Sequence, residues 1–179
     1  VRGPIEPLWV QGGLYRLAKS DAARQRLVAQ IPDLMASLRR QHGTALWGML
    51  VDLLADQGYP QELKATIVGA LPVKALFEIE RFAHRRRKDA RVVGDAIQRL
   101  VEGSTTLEQL QALDRLVSYT RREQVALERM IVEQMRAIVR SSTDAVKLMR
   151  LYRDGDRAGG WTRLGSTVII NRALQLSRQ

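Results

Sequence analysis

Few side chains in this sequence have types and spacings that could support chemistry. The chain of 179 residues contains no cysteine and only two histidines, His42 and His84. Without cysteine, disulfides, thiolate nucleophiles and cysteine-ligated zinc are excluded. Phosphate-binding loops, dinucleotide-binding glycine fingerprints, zinc-protease motifs and serine nucleophile elbows do not occur either. We therefore expect no cofactor and no metal, and a binding protein rather than an enzyme.

Glu80 and His84 stand four residues apart and would share one face of a helix. Helical di-iron sites need a Glu and a His three residues apart, together with further carboxylates. No such set is present, so His84 is better explained as a residue at a helix end.

The densest cluster of charge is a basic run within RFAHRRRKDARVV, residues 81–93. Successive helical residues turn by about 100°, so Arg85 to Lys88 cannot share one face. They fit the exposed last turn of a helix, where cations interact favourably with the helix dipole. The alternative is a phosphate-binding patch, since such contacts need only dense positive charge.

A second candidate is GDRAGGWTRLGS, residues 155–166, where Trp161 lies between Arg157 and Arg163. An exposed tryptophan flanked by arginines is typical of a protein-binding hot spot. The alternative is that Trp161 anchors the last helix to the core. Together the two segments predict a set of binding residues: Arg85, Arg86, Arg87, Lys88, Arg91, Arg157, Trp161 and Arg163.

The net charge of +10 is unevenly distributed along the chain. Residues 1–80 carry nine Lys and Arg against eight Asp and Glu, so the last 99 residues carry +9. This favours an anionic partner: an acidic protein, nucleic acid or an anionic membrane surface. Arginine accounts for 24 of the 29 basic residues, which is typical of a GC-rich bacterial genome.

These candidates would be positioned by helices, because apolar residues recur at steps of three and four almost throughout. The first predicted helix begins after a cap at Ser20 or Asp21, and Pro32 predicts a kink or a restart. Gly43 predicts its end, and Thr44 predicts the cap of the next helix.

Later helices are indicated mainly by their start signals. Thr105-x-x-Glu108 and Thr120-x-x-Glu123 are predicted capping boxes, with a break between helices near Tyr119. A further cap is expected within residues 141–143. Residues 154–160 predict a loop, and the strand-like residues 167–170 are expected to be helical because no partner strand is evident.

The sequence therefore predicts an all-α protein, a compact multi-helix bundle of about eight to ten short-to-medium helices with no significant sheet. Residues 1–179 are expected to form a single helical domain. Because the sequence does not begin with Met, we expect a fragment of a larger protein. No apolar run approaches the roughly 20 residues of a transmembrane helix, and no signal peptide is evident.

The favoured function is a non-catalytic helical interaction module of a larger bacterial protein, either a secreted effector or a component of a secretion or conjugation system. It would dock a basic surface on an acidic protein partner and could act as a scaffold for a partner's reaction. Such a module would lie in the bacterial cytoplasm, or in a host cell if it is an effector. Nucleic-acid binding through the basic second half is the first alternative, and an enzyme without a short motif is the second.

Overall fold

Helices account for the regular structure throughout the described part of the chain. A computed structural model describes residues 3–118, 125–157 and 163–178, and no strand occurs among them. A short 3-10 helix at Gly3–Ile5 precedes ten α-helices: α1 Glu6–Leu17, α2 Asp21–His42, α3 Ala45–Ala55, α4 Gln61–Gly69, α5 Val73–Arg85, α6 Arg91–Glu102, α7 Leu107–Ser118, α8 Val125–Ser141, α9 Ala145–Arg157 and α10 Arg163–Ser177. The all-α prediction is confirmed, and residues 167–170 are helical within α10.

The chain divides into two compact units, Val1–Ala96 and Ile97–Gln179. The boundary falls inside α6. The single helical domain predicted for residues 1–179 remains a prediction. Over the described ranges, no helix is both long and apolar enough to cross a lipid bilayer.

The first unit is built around α3, whose sequence ALWGMLVDLLA contains a single charged residue. A helix that is apolar on nearly all sides must be buried on several sides. It packs against α5, α2 and the 3-10 helix, while α2 also packs against α1 and α4. Trp47 is 4 % exposed and belongs to this core.

The second unit is a small bundle in which α10 packs against α8 and α9, and α7 packs against α8. Its core side chains lie at positions that the apolar periodicity predicts. Leu110, Ile131, Met135 and Leu148 are all nearly inaccessible to solvent.

The start signals of α2 and α3 had mixed outcomes. Ser20 Oγ accepts a hydrogen bond from Ala23 N at 3.2 Å, as predicted. Of the kink or restart predicted at Pro32, the restart is wrong, because α2 continues through Pro32 to His42. The kink remains a prediction. Pro32 lies on the exposed face, where water can hydrogen-bond to the carbonyl left without an N–H donor. Thr44 occupies the predicted N-cap position of α3, although its side chain makes no capping hydrogen bond.

Two later caps lie one residue beyond their predicted positions. The capping box of α7 is Thr106 with Gln109, since Thr106 Oγ1 accepts from Gln109 N at 3.3 Å. Gln109 Oε1 in turn accepts from Thr106 N at 3.3 Å. At the start of α9, Asp144 Oδ1 accepts from Lys147 N at 2.9 Å, in place of a cap within residues 141–143.

The loop predicted over residues 154–160 is wrong for its first part, because α9 continues to Arg157. Gly155 is compatible with a helix when neighbouring turns support it, at a cost of about 1 kcal/mol relative to Ala. Residues 158–160 lie outside the described residues, as do the predicted break at Tyr119 and the Thr120 capping box.

Candidate functional site

The clearest candidate surface is formed by α1, a helix that the sequence pattern did not predict. Two prolines near its start and the pair Gly12–Gly13 resemble loop signals. Pro7 is nevertheless acceptable there, because the first turn of a helix needs no backbone donors. The four- and three-residue steps from Val10 to Leu14 and Leu17 were the signal that could have revealed it.

Buried polar contacts fix the inner face of α1. Gln11 is 7 % exposed, and its side-chain amide donates to Leu27 O at 2.9 Å and to Gln30 Oε1 at 2.8 Å. Both acceptors lie on α2. A buried amide whose donors are both satisfied orients the helix as well as holding it. The rotation of α1 against α2 is thereby set.

Tyr59 supports α1 from the other side. Its hydroxyl donates to Leu8 O at 2.7 Å, and its ring meets Trp9 edge to face with centroids 5.7 Å apart. The ring lies directly against Gly12. Burial raises the pKa of Tyr59 far above its ordinary value, so the hydroxyl remains a donor at every physiological pH.

The outer face of α1 is left with an apolar surface, which we call the α1 ridge: Val10, Leu14 and Leu17. Val10 is 52 % exposed, Leu14 47 % and Leu17 78 %. Steps of four and three residues place all three side chains on one helix face. Single exposed apolar residues are ordinary, but three aligned on one helix are typical of an interaction surface.

Beside the ridge lies a groove between α1 and α2 with a volume of about 590 Å³. We call it the α1–α2 groove, and it is lined by apolar, acidic and neutral polar side chains: Glu6, Pro7, Val10, Gln11, Gln30, Asp33, Leu34 and Ser37. Val10 belongs to both the ridge and the groove, so the two form one surface. A groove of this kind suits the apolar face of a partner helix.

An exposed polar cluster lies on the side of α1 opposite the ridge. The Tyr15 hydroxyl donates to one carboxylate oxygen of Glu62, and Gln25 donates to the other at 2.9 Å. The hydrogen bond from Tyr15, followed by that from Gln25, lowers the pKa of Glu62. The same bond raises the pKa of Tyr15. These hydrogen bonds link α1, α2 and α4, and we interpret the role of the cluster as structural.

The basic run lies where α5 ends, as predicted. Lys88 N donates to Ala83 O at 2.9 Å, and Arg87 N donates to His84 O at 3.1 Å. This pair of bonds is a Schellman motif, which normally requires a glycine in the left-handed region. Arg87 occupies that position with φ of 53°. The run is therefore the C-terminal end of α5, closed by a Schellman motif.

Several cations of the run are paired within the protein. Arg86 Nη1 donates to Gly48 O at 2.7 Å and lies 3.9 Å from Asp52, while Lys88 lies 3.5 Å from the same carboxylate. Arg91 donates to Asp89 at 3.1 Å. These exposed ion pairs contribute little stability, about 0–1 kcal/mol each. They nevertheless orient Arg86 and Lys88 towards α3.

Arg87 is the member of the run that is most available to a partner. Its side chain is exposed and makes no ion pair with a described residue. Arg85 is also exposed, although it has an interaction of its own. The structure thus brings together the predicted cluster of Arg85, Arg86, Arg87, Lys88 and Arg91. Because Arg86, Lys88 and Arg91 are in ion pairs, only part of its positive charge is available to a partner.

Arg87→Gly should stabilise the protein by about 0.5–1 kcal/mol, because glycine has no Cβ to strain the left-handed conformation. The gain is reduced by the larger conformational entropy that glycine gives the unfolded chain. Arg87→Ala is the matched control, since it loses the same charge but keeps a Cβ. Urea unfolding followed by circular dichroism would measure both. A gain in the alanine variant equal to that in the glycine variant would contradict backbone strain as the cause.

The second predicted segment, residues 155–166, is described only at its two ends. Trp161 lies outside the described residues. Arg157 ends α9 and Arg163 begins α10, and the side chains of both are outside what the structure describes. Their role in binding remains a prediction.

Asp114 on α7 is a buried polar residue that the sequence patterns did not indicate. It is completely inaccessible to solvent and stands in register with the buried Leu110 and Val117, at a position that the periodicity reserves for an apolar side chain. Gln111, one turn before, is 9 % exposed. The break in the apolar stripe at residue 114 was the available signal.

His84 is exposed at the end of α5. Within the residues that the structure describes, no group of three or more His, Asp and Glu side chains could hold a metal ion.

No protein-family model, curated protein or solved structure matches this chain. The assignment of function therefore depends on the geometry of the α1 ridge, the α1–α2 groove and the charges around them.

Proposed function

We propose that this chain is a non-catalytic helical interaction module that binds a protein partner through the α1 ridge and the α1–α2 groove. The observation that carries the proposal is the exposure of three aligned apolar side chains beside an apolar groove, with Leu17 78 % exposed. Fully burying a leucine or valine contributes roughly 1.5–3 kcal/mol. A partner that covered the ridge would therefore gain several kcal/mol.

The chemistry of the groove favours protein over nucleic acid as the partner at this surface. The ionisable side chains that line it are the carboxylates Glu6 and Asp33. Phosphate groups would be repelled there, whereas nucleic-acid binding depends on lysine and arginine. A groove with apolar and acidic lining residues suits a polypeptide segment with apolar anchors.

The basic surface predicted from the sequence remains part of the proposal as a second docking surface for an acidic protein partner. Its support is the exposed Arg87, held in place by the Schellman motif. Composition and charge also remain the basis of two further proposals. One is that the module acts as a scaffold for a partner's reaction, and the other is that it comes from a bacterium and is delivered as an effector.

Leu14→Ser/Leu17→Ser should abolish partner capture by the immobilised protein at physiological salt, because the ridge loses its apolar anchors. Leu174→Ser is the matched control, since Leu174 is a similarly exposed leucine (49 %) on α10. Mass spectrometry of the captured proteins would compare the three chains. Circular dichroism would confirm that each variant is folded.

A protein captured by the wild type and by Leu174→Ser, but lost from the double variant, supports the proposal. Equal capture by all three chains, or no captured protein at all, contradicts it. Binding to duplex DNA or RNA that weakens with salt and persists in the double variant would favour nucleic acid instead.

A further inference from the structure

We infer that the α1–α2 groove is occupied by α9 of a second copy of this chain, which deepens the proposed function and rests on it. The inference comes from a second exposed face, the α9 outer face, which consists of Val146, Met149, Arg150 and Arg153. Its chemistry complements that of the groove in both apolar and charged character.

The groove contributes apolar side chains together with negative charge. Pro7 and Val10 of α1 and Leu34 of α2 are its apolar lining residues, beside the polar Gln11, Gln30 and Ser37. Glu6 and Asp33, one on each helix, make no ion pair with a residue that the structure describes. Both ionisable residues that line the groove are thus acidic. Its complement is an apolar helix face carrying cations.

The α9 outer face provides this combination. Val146 is 62 % exposed and Met149 39 % exposed, while Leu148 on the opposite face is only 1 % exposed. Arg150 and Arg153 are exposed and make no ion pair with a described residue. Residues 146, 149, 150 and 153 recur at helical spacing, so these apolar and cationic groups share one side of α9.

The two faces match in scale as well as in charge. Val146 and Met149 are about one helical turn apart, as are Pro7 and Val10. Apolar anchors from α9 can therefore occupy the groove while Arg150 and Arg153 approach Glu6 and Asp33. Opposite charges around an apolar contact steer association and fix its register. Both halves of this interface are present in every copy of the chain.

Complementary charge reversal tests this interface directly. Glu6→Arg/Asp33→Arg makes the groove basic, and Arg150→Glu/Arg153→Glu makes the α9 outer face acidic. Analytical ultracentrifugation over a range of concentrations would measure the mass of each chain. The wild type should self-associate, more weakly at high salt, and each double variant should associate at least about tenfold more weakly.

Mixing the two double variants should restore association, because an acidic groove then meets a basic α9 and a basic groove meets an acidic α9. Asp95→Arg/Glu108→Arg is the control for the groove variant, since it makes the same change in charge outside the groove. It also includes a first-turn acid, Glu108 in α7 to match Glu6 in α1. Circular dichroism would check that every variant is folded.

A wild-type chain that remains monomeric at all concentrations would overturn this inference, as would a mixture that fails to associate. Association that requires added nucleic acid or anionic vesicles would also overturn it. The proposed function would survive each of these results if another protein were captured in a manner that depends on Leu14 and Leu17. Loss of that dependence, together with intact self-association, would instead contradict the proposed function alone.

Discussion

Gly12→Ala is expected to destabilise the protein by about 1–3 kcal/mol, because the new methyl group overlaps a side chain that cannot move aside. A Cβ at this position would lie 2.9 Å from Tyr59 Cδ2 and closer still to Cε2. Tyr59 is 2 % exposed and held by its hydrogen bond to Leu8 O and by Trp9. Urea unfolding followed by circular dichroism would measure the loss.

The neighbouring glycine provides the control. A Cβ at Gly13 meets no atom within 4 Å, and the residue lies inside α1. Gly13→Ala should therefore stabilise the protein by about 0.5–1 kcal/mol, the usual gain in a helix interior. Opposite changes in the free energy of unfolding at these adjacent positions would identify contact with Tyr59 as the cause of the destabilisation. Equal effects in the two variants would show that α1 does not pack against Tyr59 as described.

Lys64→Met is expected to stabilise the protein by about 1 kcal/mol, because it replaces a poorly solvated charge with an apolar side chain of similar length. Lys64 is only 4 % exposed. Burial lowers the pKa of Lys64 below its ordinary value of 10.5, and the nearby Asp56 offsets this only in part. The difference in the free energy of unfolding between variant and wild type would be measured at neutral pH.

The same substitution should also change the pH dependence of stability. With the pKa of Lys64 lowered in the folded protein, the unfolded chain binds more protons between that lowered value and 10.5. Stability contributed by this group therefore rises with pH across that interval. The advantage of Lys64→Met should accordingly shrink as the pH approaches 10.5. An advantage that is constant with pH would contradict burial of the charge as its cause.

Lys74→Met is the matched control for both measurements. Its side chain is 76 % exposed and lies 4.0 Å from Glu78 on the same helix. Exposed pairs of this type contribute about 0.3–0.5 kcal/mol, so its loss should have a small effect of the opposite sign.

Local patterns predicted most of the helices because the signals involve neighbouring residues. The periodicity from Ala23 to Leu38 predicted α2, and Ser20 predicted its cap. The one-residue errors at Thr106 and Asp144 have a common cause, since several adjacent polar residues can each cap a helix. The final geometry selects one of them.

The α1 ridge could not be derived in this way, even though Val10, Leu14 and Leu17 are visible in the sequence. An apolar stripe normally predicts the buried face of a helix. Here Leu8 and Gln11 are buried against the rest of the first unit, while the ridge faces solvent. Which face of α1 is covered depends on α2 and Tyr59, which lie far along the chain.

The sequence by itself determined that this protein is all-α, that cysteine chemistry is excluded and that it carries surplus positive charge. Those properties follow from composition and from interactions within one or two helical turns. The tertiary structure alone decided that Arg86 and Lys88 meet Asp52 and that the α1 ridge stays exposed beside the α1–α2 groove. Such outcomes depend on contacts between residues distant in sequence, which no local pattern encodes.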